Sequence, residues 1–182
     1  MTERGPFVLW LTGLSGAGKS TITTLLEHEL RASGRRVFNL DGDVVRRGLN
    51  SDLGFSLDDR HENVRRIAEV ARILLLADTS AIVSAISPIA EVRAFARSIV
   101  PEGHFIEVYV DAPLEVAEAR DTKGLYQRAR NGELADFTGI DSPYEAPTTP
   151  EVHVASSLLT PEESVAMIVA VLDERFEAAE PS

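Results

Sequence analysis

A chain of 182 residues is long enough for one domain with a substantial core, and 44% hydrophobic against 26% charged residues is the mix of an ordinary soluble globular fold. The formal charge of −11, from 18 Lys+Arg against 29 Asp+Glu, argues against a general nucleic-acid or membrane-surface binder but leaves room for a local basic cleft. Cysteine is absent, which excludes disulfides, thiolate catalysis and zinc–thiolate sites.

The opening "MTERGPFVLWLTG" has too short an apolar run for a secretory signal, and no segment approaches the length of a membrane span, so the cytoplasm is the default compartment. "FVLWLT" (7–12) reads as a strand buried on both faces, with Trp10 in the core. Residues 19–33 place Ile22, Leu25, Leu26 and Leu30 at helical spacing before a stop at Gly34. "RVFNL" (36–40) is the next strand. A long helix follows from Asp58 to about Ala77, then a strand "AIVSAI" (81–86) ending at Ser87-Pro88, and a helix over 89–99. "HFIEVYV" (104–110) is the fourth strand, and "PLEVAEARD" opens another helix. Residues 121–150 are polar, rich in Gly and Pro and without apolar periodicity, the composition of a long functional loop. "EVHVA" is a last short strand, residues 161–176 a final helix with a solvated acidic face, and "FEAAEPS" (176–182) a fraying end. The alternation predicts a single α/β domain over 1–182, a parallel sheet with helices on both faces and sites at the carboxyl ends of the strands.

"GLSGAGKS" (13–20) fits G-x-x-x-x-G-K-[ST] at every fixed position and lies between a buried strand and a helix. Its glycines let backbone amides approach phosphate oxygens, helped by the positive end of the next helix. A nucleoside triphosphate is thus expected on Gly13, Leu14, Ser15, Gly16, Ala17, Gly18, Lys19, Ser20 and Thr21, with Lys19 bridging the β- and γ-phosphates and Ser20 binding Mg²⁺. After the second strand, Asp41 and Asp43 flank Gly42. Asp41 either orients an attacking hydroxyl and takes its proton or caps the next helix, and the two roles can coexist. Arg46, Arg47, Arg60, Arg65 and Arg66 then make an unusually basic run, suited to forking onto phosphate or sulfate or to pairing with surface carboxylates. His28, His61, His104 and His153 lack metal-ligand spacing.

Taken together, "GLSGAGKST", "DGDVVRRGLNSDLGFS", "DRHENVRR", "ISP", "KGLYQRAR" and "FTGIDSPYEAP" resemble the adenylylsulfate (APS) kinase family, in order and at the expected separations, over about residues 5–175. The resemblance implies a three-layer P-loop NTPase fold with a lid over about 121–143. It implies transfer of the ATP γ-phosphate to the 3′-hydroxyl of adenosine 5′-phosphosulfate (APS), giving PAPS and ADP. It further implies Asp41 as the catalytic carboxylate with Lys19 assisting, and contacts to APS from Asp43, Arg46, Phe55, Arg60, Asn63, Ile86, Ser87, Lys123 and Phe137. Phe55 and Phe137 would sandwich the adenine, and Arg120 would pack against the ATP base. A homodimer and functional coupling to an ATP sulfurylase are implied as well, with no nucleic-acid or membrane partner. Independently of the family, Phe55 and Phe137 lie in glycine-rich contexts where they either stack on a base or pack structurally, and Asn63 shares a helix face with Arg60. Closure of the lid would bring Lys123 and Phe137 in and keep water out.

Ser87, where bacterial members are described as carrying phosphoserine, reads as a binding residue, because in-line transfer needs no covalent intermediate. One departure stands out: the family continues "ISP" with Tyr and Arg, whereas this chain has Ile89 and Ala90, with an arginine returning at Arg93. Two other readings remain: a kinase of this fold acting on another small anionic metabolite, and a nucleotide-binding regulatory module. The retained acceptor residues weigh against the second, because a switch needs no acceptor pocket.

Overall fold

The computed structural model describes residues 5–176, so the tail beyond Phe176, read above as fraying, lies outside them. Five parallel strands form one sheet in the order β2-β3-β1-β4-β5: β1 (Val8–Thr12), β2 (Val37–Asp41), β3 (Ser80–Ser84), β4 (Phe105–Asp111) and β5 (Val152–Ala155). β1 lies at the centre, paired with β3 and β4, and each of its five residues is buried, as its unbroken apolar run requires.

The pleat splits β1 between two cores. Leu9 and Leu11 pack with Ile22, Leu26 and Leu30 of α1 (Lys19–Ala32) and with Val165, Ile168 and Leu172 of α7 (Pro161–Phe176). Val8 and Trp10 face the opposite side, against α3 (Leu57–Leu76) and α4 (Ala90–Ile99). The β1-to-β2 and β2-to-β3 crossovers run in opposite directions along the sheet, so right-handed connections place α1 and α3 on opposite faces. The layers are those expected from sequence, with boundaries displaced by a residue or so. Among the described residues no helix is long and apolar enough to cross a membrane.

Two short helices go beyond the sequence reading. α2 (Gly42–Arg47) follows β2 directly and is capped by Asp41. α6 (Leu125–Arg130) forms inside the segment expected to be loop, after α5 (Leu114–Arg120). Asp121 accepts hydrogen bonds from the amides of Tyr126 (3.1 Å) and Gln127 (3.0 Å), and the helix buries only Tyr126 and Ala129. Six residues are too few to leave a periodic signal.

The turn leaving β1 passes so close to β4 that a Cβ on Gly13 would lie 2.3 Å from the Val110 carbonyl oxygen, with φ at +150°. Gly13→Ala is therefore expected to cost at least ~2 kcal/mol, about 4–8 °C in Tm, by thermal unfolding. An unchanged Tm would show that this approach relaxes freely.

Candidate active site

The loop Gly13–Ser20 joins the carboxyl end of β1 to the start of α1. A Cβ on Gly16, where φ is +75°, would lie 2.6 Å from the Ala117 carbonyl oxygen, so α5 presses directly on the loop. Helix α6 is tied to it too: the buried Tyr126 hydroxyl donates to the Ser15 carbonyl (2.9 Å), and burial pushes that phenol up to about 12. Arg120 donates to the carbonyls of Gly16 (3.3 Å), Ala17 (3.4 Å) and Ser156 (2.9 Å), bridging the loop to the chain after β5.

Lys19 folds back, donating from Nζ to the carbonyls of Gly13 (2.8 Å) and Leu14 (2.7 Å). Its burial, and next the nearby charge of Lys123, lower its pKa to about 7, against the opposing pull of Asp43 and Asp41. Ser20 and Thr21 are exposed on the first turn of α1. The Ser20 hydroxyl has no protein partner among the described residues, and no group of three or more His, Cys, Asp or Glu there could hold a metal. A lone hydroxyl beside a phosphate cradle fits Mg²⁺ arriving on ATP, which keeps most of its ligands as water and phosphate oxygen.

Opposite the loop, Asp41 Oδ1 accepts from the amides of Asp43 (2.9 Å) and Val44 (3.2 Å), so the helix-capping reading of this carboxylate is correct. Its Oδ2 has no protein donor among the described residues, which leaves one oxygen for chemistry. Asp43 forms an ion pair with Lys123, linking the start of α2 to the chain between α5 and α6. Arg46 donates to the Gly54 carbonyl (3.0 Å) and lies over the Phe55 ring at 4.5 Å. Arg60 donates to the carbonyls of Phe55 (2.9 Å) and Asp136 and to the Thr138 hydroxyl (2.9 Å). The two arginines are thus held by backbone oxygens. Burial, with Arg60 nearby, lowers the Arg46 pKa. Phe55 is exposed, whereas Phe137 packs edge-on against Tyr126 (5.1 Å between centroids) and joins the core margin. Asn63 is buried, and its Oδ1 accepts from Asn50 Nδ2 (2.9 Å).

The wall beyond β3 turns on Ser87, a non-glycine residue at φ +38°. Its Oγ accepts from Trp10 Nε1 (3.1 Å), and its carbonyl accepts from Arg93 (2.8 Å). Arg93 is buried, paired with Glu107 (2.8 Å), and donates to the Glu145 carbonyl (2.6 Å). Glu145 in turn accepts from the Ala90 amide at the start of α4 (2.7 Å). The Ile89–Ala90 departure is absorbed locally: Ile89 packs on the core, and Glu145 supplies the helix cap.

These elements enclose one cleft of about 790 Å³. Every residue expected to contact ATP or APS lines it except Gly13 and Leu14, which hold Lys19 from behind, whereas Arg47, Arg65 and Arg66 of the basic run lie outside it. Six cations (Lys19, Arg46, Arg60, Arg120, Lys123 and Arg128) face three carboxylates (Asp41, Asp43 and Asp136) there, a local basic excess in an acidic chain. Sequence reasoning missed Tyr126, Thr138 and Asn50. The first two lie inside motifs used only for Lys123 and Phe137, while Asn50 reads as an ordinary turn residue.

Residues 5–155 match the family model described as adenylylsulphate kinase. An adenylyl-sulfate kinase of Burkholderia ambifaria is 54% identical over 172 residues, covering 94% of this chain and 95% of the relative. A bifunctional enzyme NodQ of a Rhizobium species is 52% identical over 181 residues, and the chain spans only 28% of its length. Among solved structures, the APS kinase CysC of Mycobacterium tuberculosis in complex with AMPPNP and APS superposes with a TM-score of 0.88 at 44% identity, covering 93% of this chain and 98% of that one. With the family model matched over most of the chain and a relative matched over nearly its full length, the chain belongs to the adenylylsulphate kinase family.

Proposed function

We propose that this chain, an adenylyl-sulfate kinase by family, moves the ATP γ-phosphoryl group directly onto the 3′-hydroxyl of APS within the one cleft. The observation that carries the reading is that the phosphate loop and the 41–63 acceptor stretch line the same cavity from opposite sides. ATP phosphates rest on the amides of residues 13–20, and Arg120 lies against the base. Lys19 exchanges the Gly13 and Leu14 carbonyls for β- and γ-oxygens. Mg²⁺, held through Ser20 on the protein side, supplies charge neutralisation on the phosphates.

On the acceptor side, Arg46 and Arg60 offer guanidinium protons to the phosphosulfate, with Asp43, Lys123 and Asn63 around the nucleotide. Phe55 and Phe137 flank the adenine, while Ile86 and Ser87 form the wall. Helix capping fixes the Asp41 carboxylate, and Oδ2 takes the proton of the 3′-hydroxyl. As that oxygen bonds to the γ-phosphorus, the bond from the γ-phosphorus to the β,γ-bridging oxygen breaks and ADP leaves. The lid of residues 121–143 excludes water during this step. A homodimer belongs to the same reading, as does coupling to an ATP sulfurylase. The latter is supported by a bifunctional relative that carries this domain within a longer chain.

Purified protein given Mg-ATP and APS should release ADP and PAPS in equal amounts; ADP release that ignores APS would refute the acceptor assignment. Asp41→Asn keeps a helix-capping oxygen but removes the base, so kcat should fall by about 100-fold or more with ATP affinity within about twofold. Normal turnover would remove Asp41 from its role. The lowered Lys19 pKa gives a further outcome. Above pH 7 the free protein holds Lys19 largely neutral, and bound phosphates restore its charge, so Mg-ATP binding at pH 8 should take up close to one proton and at pH 6 almost none. Calorimetry in buffers of different ionisation enthalpy measures this; equal uptake at both pH values would contradict it.

A further inference from the structure

Asn50 follows α2, at the corner before α3, and its side chain is fully buried. Its backbone is fixed at both ends, the amide donating to the Val45 carbonyl (3.0 Å) and the carbonyl accepting from Leu53 (3.1 Å). Its Nδ2 faces two oxygens of the same residue, Asn63 Oδ1 at 2.9 Å and the Asn63 carbonyl at 3.4 Å. The main-chain carbonyl cannot turn over, so an oxygen at that position would repel it, and the Asn50 amide has only one favourable orientation. That orientation dictates the next one. Asn63 must keep Oδ1 towards Asn50, so Nδ2 is its outward group, and Asn63 lines the acceptor half of the cleft. Asn63 Nδ2 has no protein acceptor among the described residues.

Stability alone does not explain Asn50. Its own Oδ1 is buried with no hydrogen-bond partner among the described residues, and a buried polar atom left unpaired carries a desolvation penalty. We infer that Asn50 is a positioning residue that locks the Asn63 amide so that it presents N–H donors, rather than its carbonyl oxygen, to a lone pair of the acceptor nucleotide. The selectivity is chemical. The site takes a substrate that offers an acceptor atom at this point, a purine ring nitrogen or a sugar oxygen, and discriminates against one that offers a donor.

The inference rests on the proposed reading of the 41–63 stretch as the acceptor site, and a double-mutant cycle separates the two. Asn50→Leu, close to isosteric, should raise KM for APS about fivefold, the worth of one neutral hydrogen bond, with KM for ATP within about twofold. In an Asn63→Ala background, Asn50→Leu should change KM for APS by less than about twofold, because the group it positions is gone. Asn50→Ser, whose hydroxyl is too short to reach Asn63, reads the same cycle if the leucine variant does not fold. An equal rise in both backgrounds, a parallel rise in KM for ATP, or no rise at all would overturn the positioning role. Wild-type protein that does not turn over APS would instead overturn the acceptor assignment itself, and the inference with it.

Discussion

The turn leaving β1 must aim its amides at phosphate while packing against the carbonyls of Val110 and Ala117, and the rest of the site depends on that constraint. Only a backbone without Cβ atoms at Gly13 and Gly16 fits there, so the cradle is fixed by β4 on one side and α5 on the other. Once the loop is set, α1 starts directly beneath it, and Lys19 folds back onto the loop carbonyls. The low charge of that lysine follows from burial, so the phosphate it awaits also completes its ionisation.

An acidic chain whose proposed reaction joins two anionic nucleotides must build a local positive field without losing its arginines to surface carboxylates. It does so by tethering Arg46 and Arg60 to carbonyl oxygens, which orient a guanidinium without neutralising it. On the same helix as Arg60, Arg65 is instead paired with Glu62 within α3, and Arg66 with both Glu62 and Asp52, which ties α3 to the α2–α3 corner. The basic run thus divides into cleft residues and braces. Lys123 lies between the two cases, paired with Asp43.

Strands, layers and the phosphate loop were legible in the sequence because each is written locally, in an apolar run, a helical spacing or a fixed glycine pattern. The site residues were legible as a group for the same reason, since they sit in motifs at strand ends. What was not legible depends on partners distant in sequence. The burial of Arg93 needs Glu107 and Glu145, Arg60 needs the backbone at Asp136, and α6 needs the Ser15 carbonyl to receive Tyr126. Asn50 carries no local mark of its role, because that role passes through the orientation of another amide.

In the proposed reaction a single direct transfer joins two nucleotides in one cleft. Ser87, the acceptor-wall hydroxyl weighed above as a phosphoryl carrier, is buried, with Oγ tied to the Trp10 indole. The stereochemical course at phosphorus tests the claim most directly, using ATP made chiral at the γ-position with thiophosphate and oxygen isotopes. Direct transfer to APS predicts inversion of configuration in the product. Retention would contradict the account, since it requires two transfers through a phosphorylated enzyme.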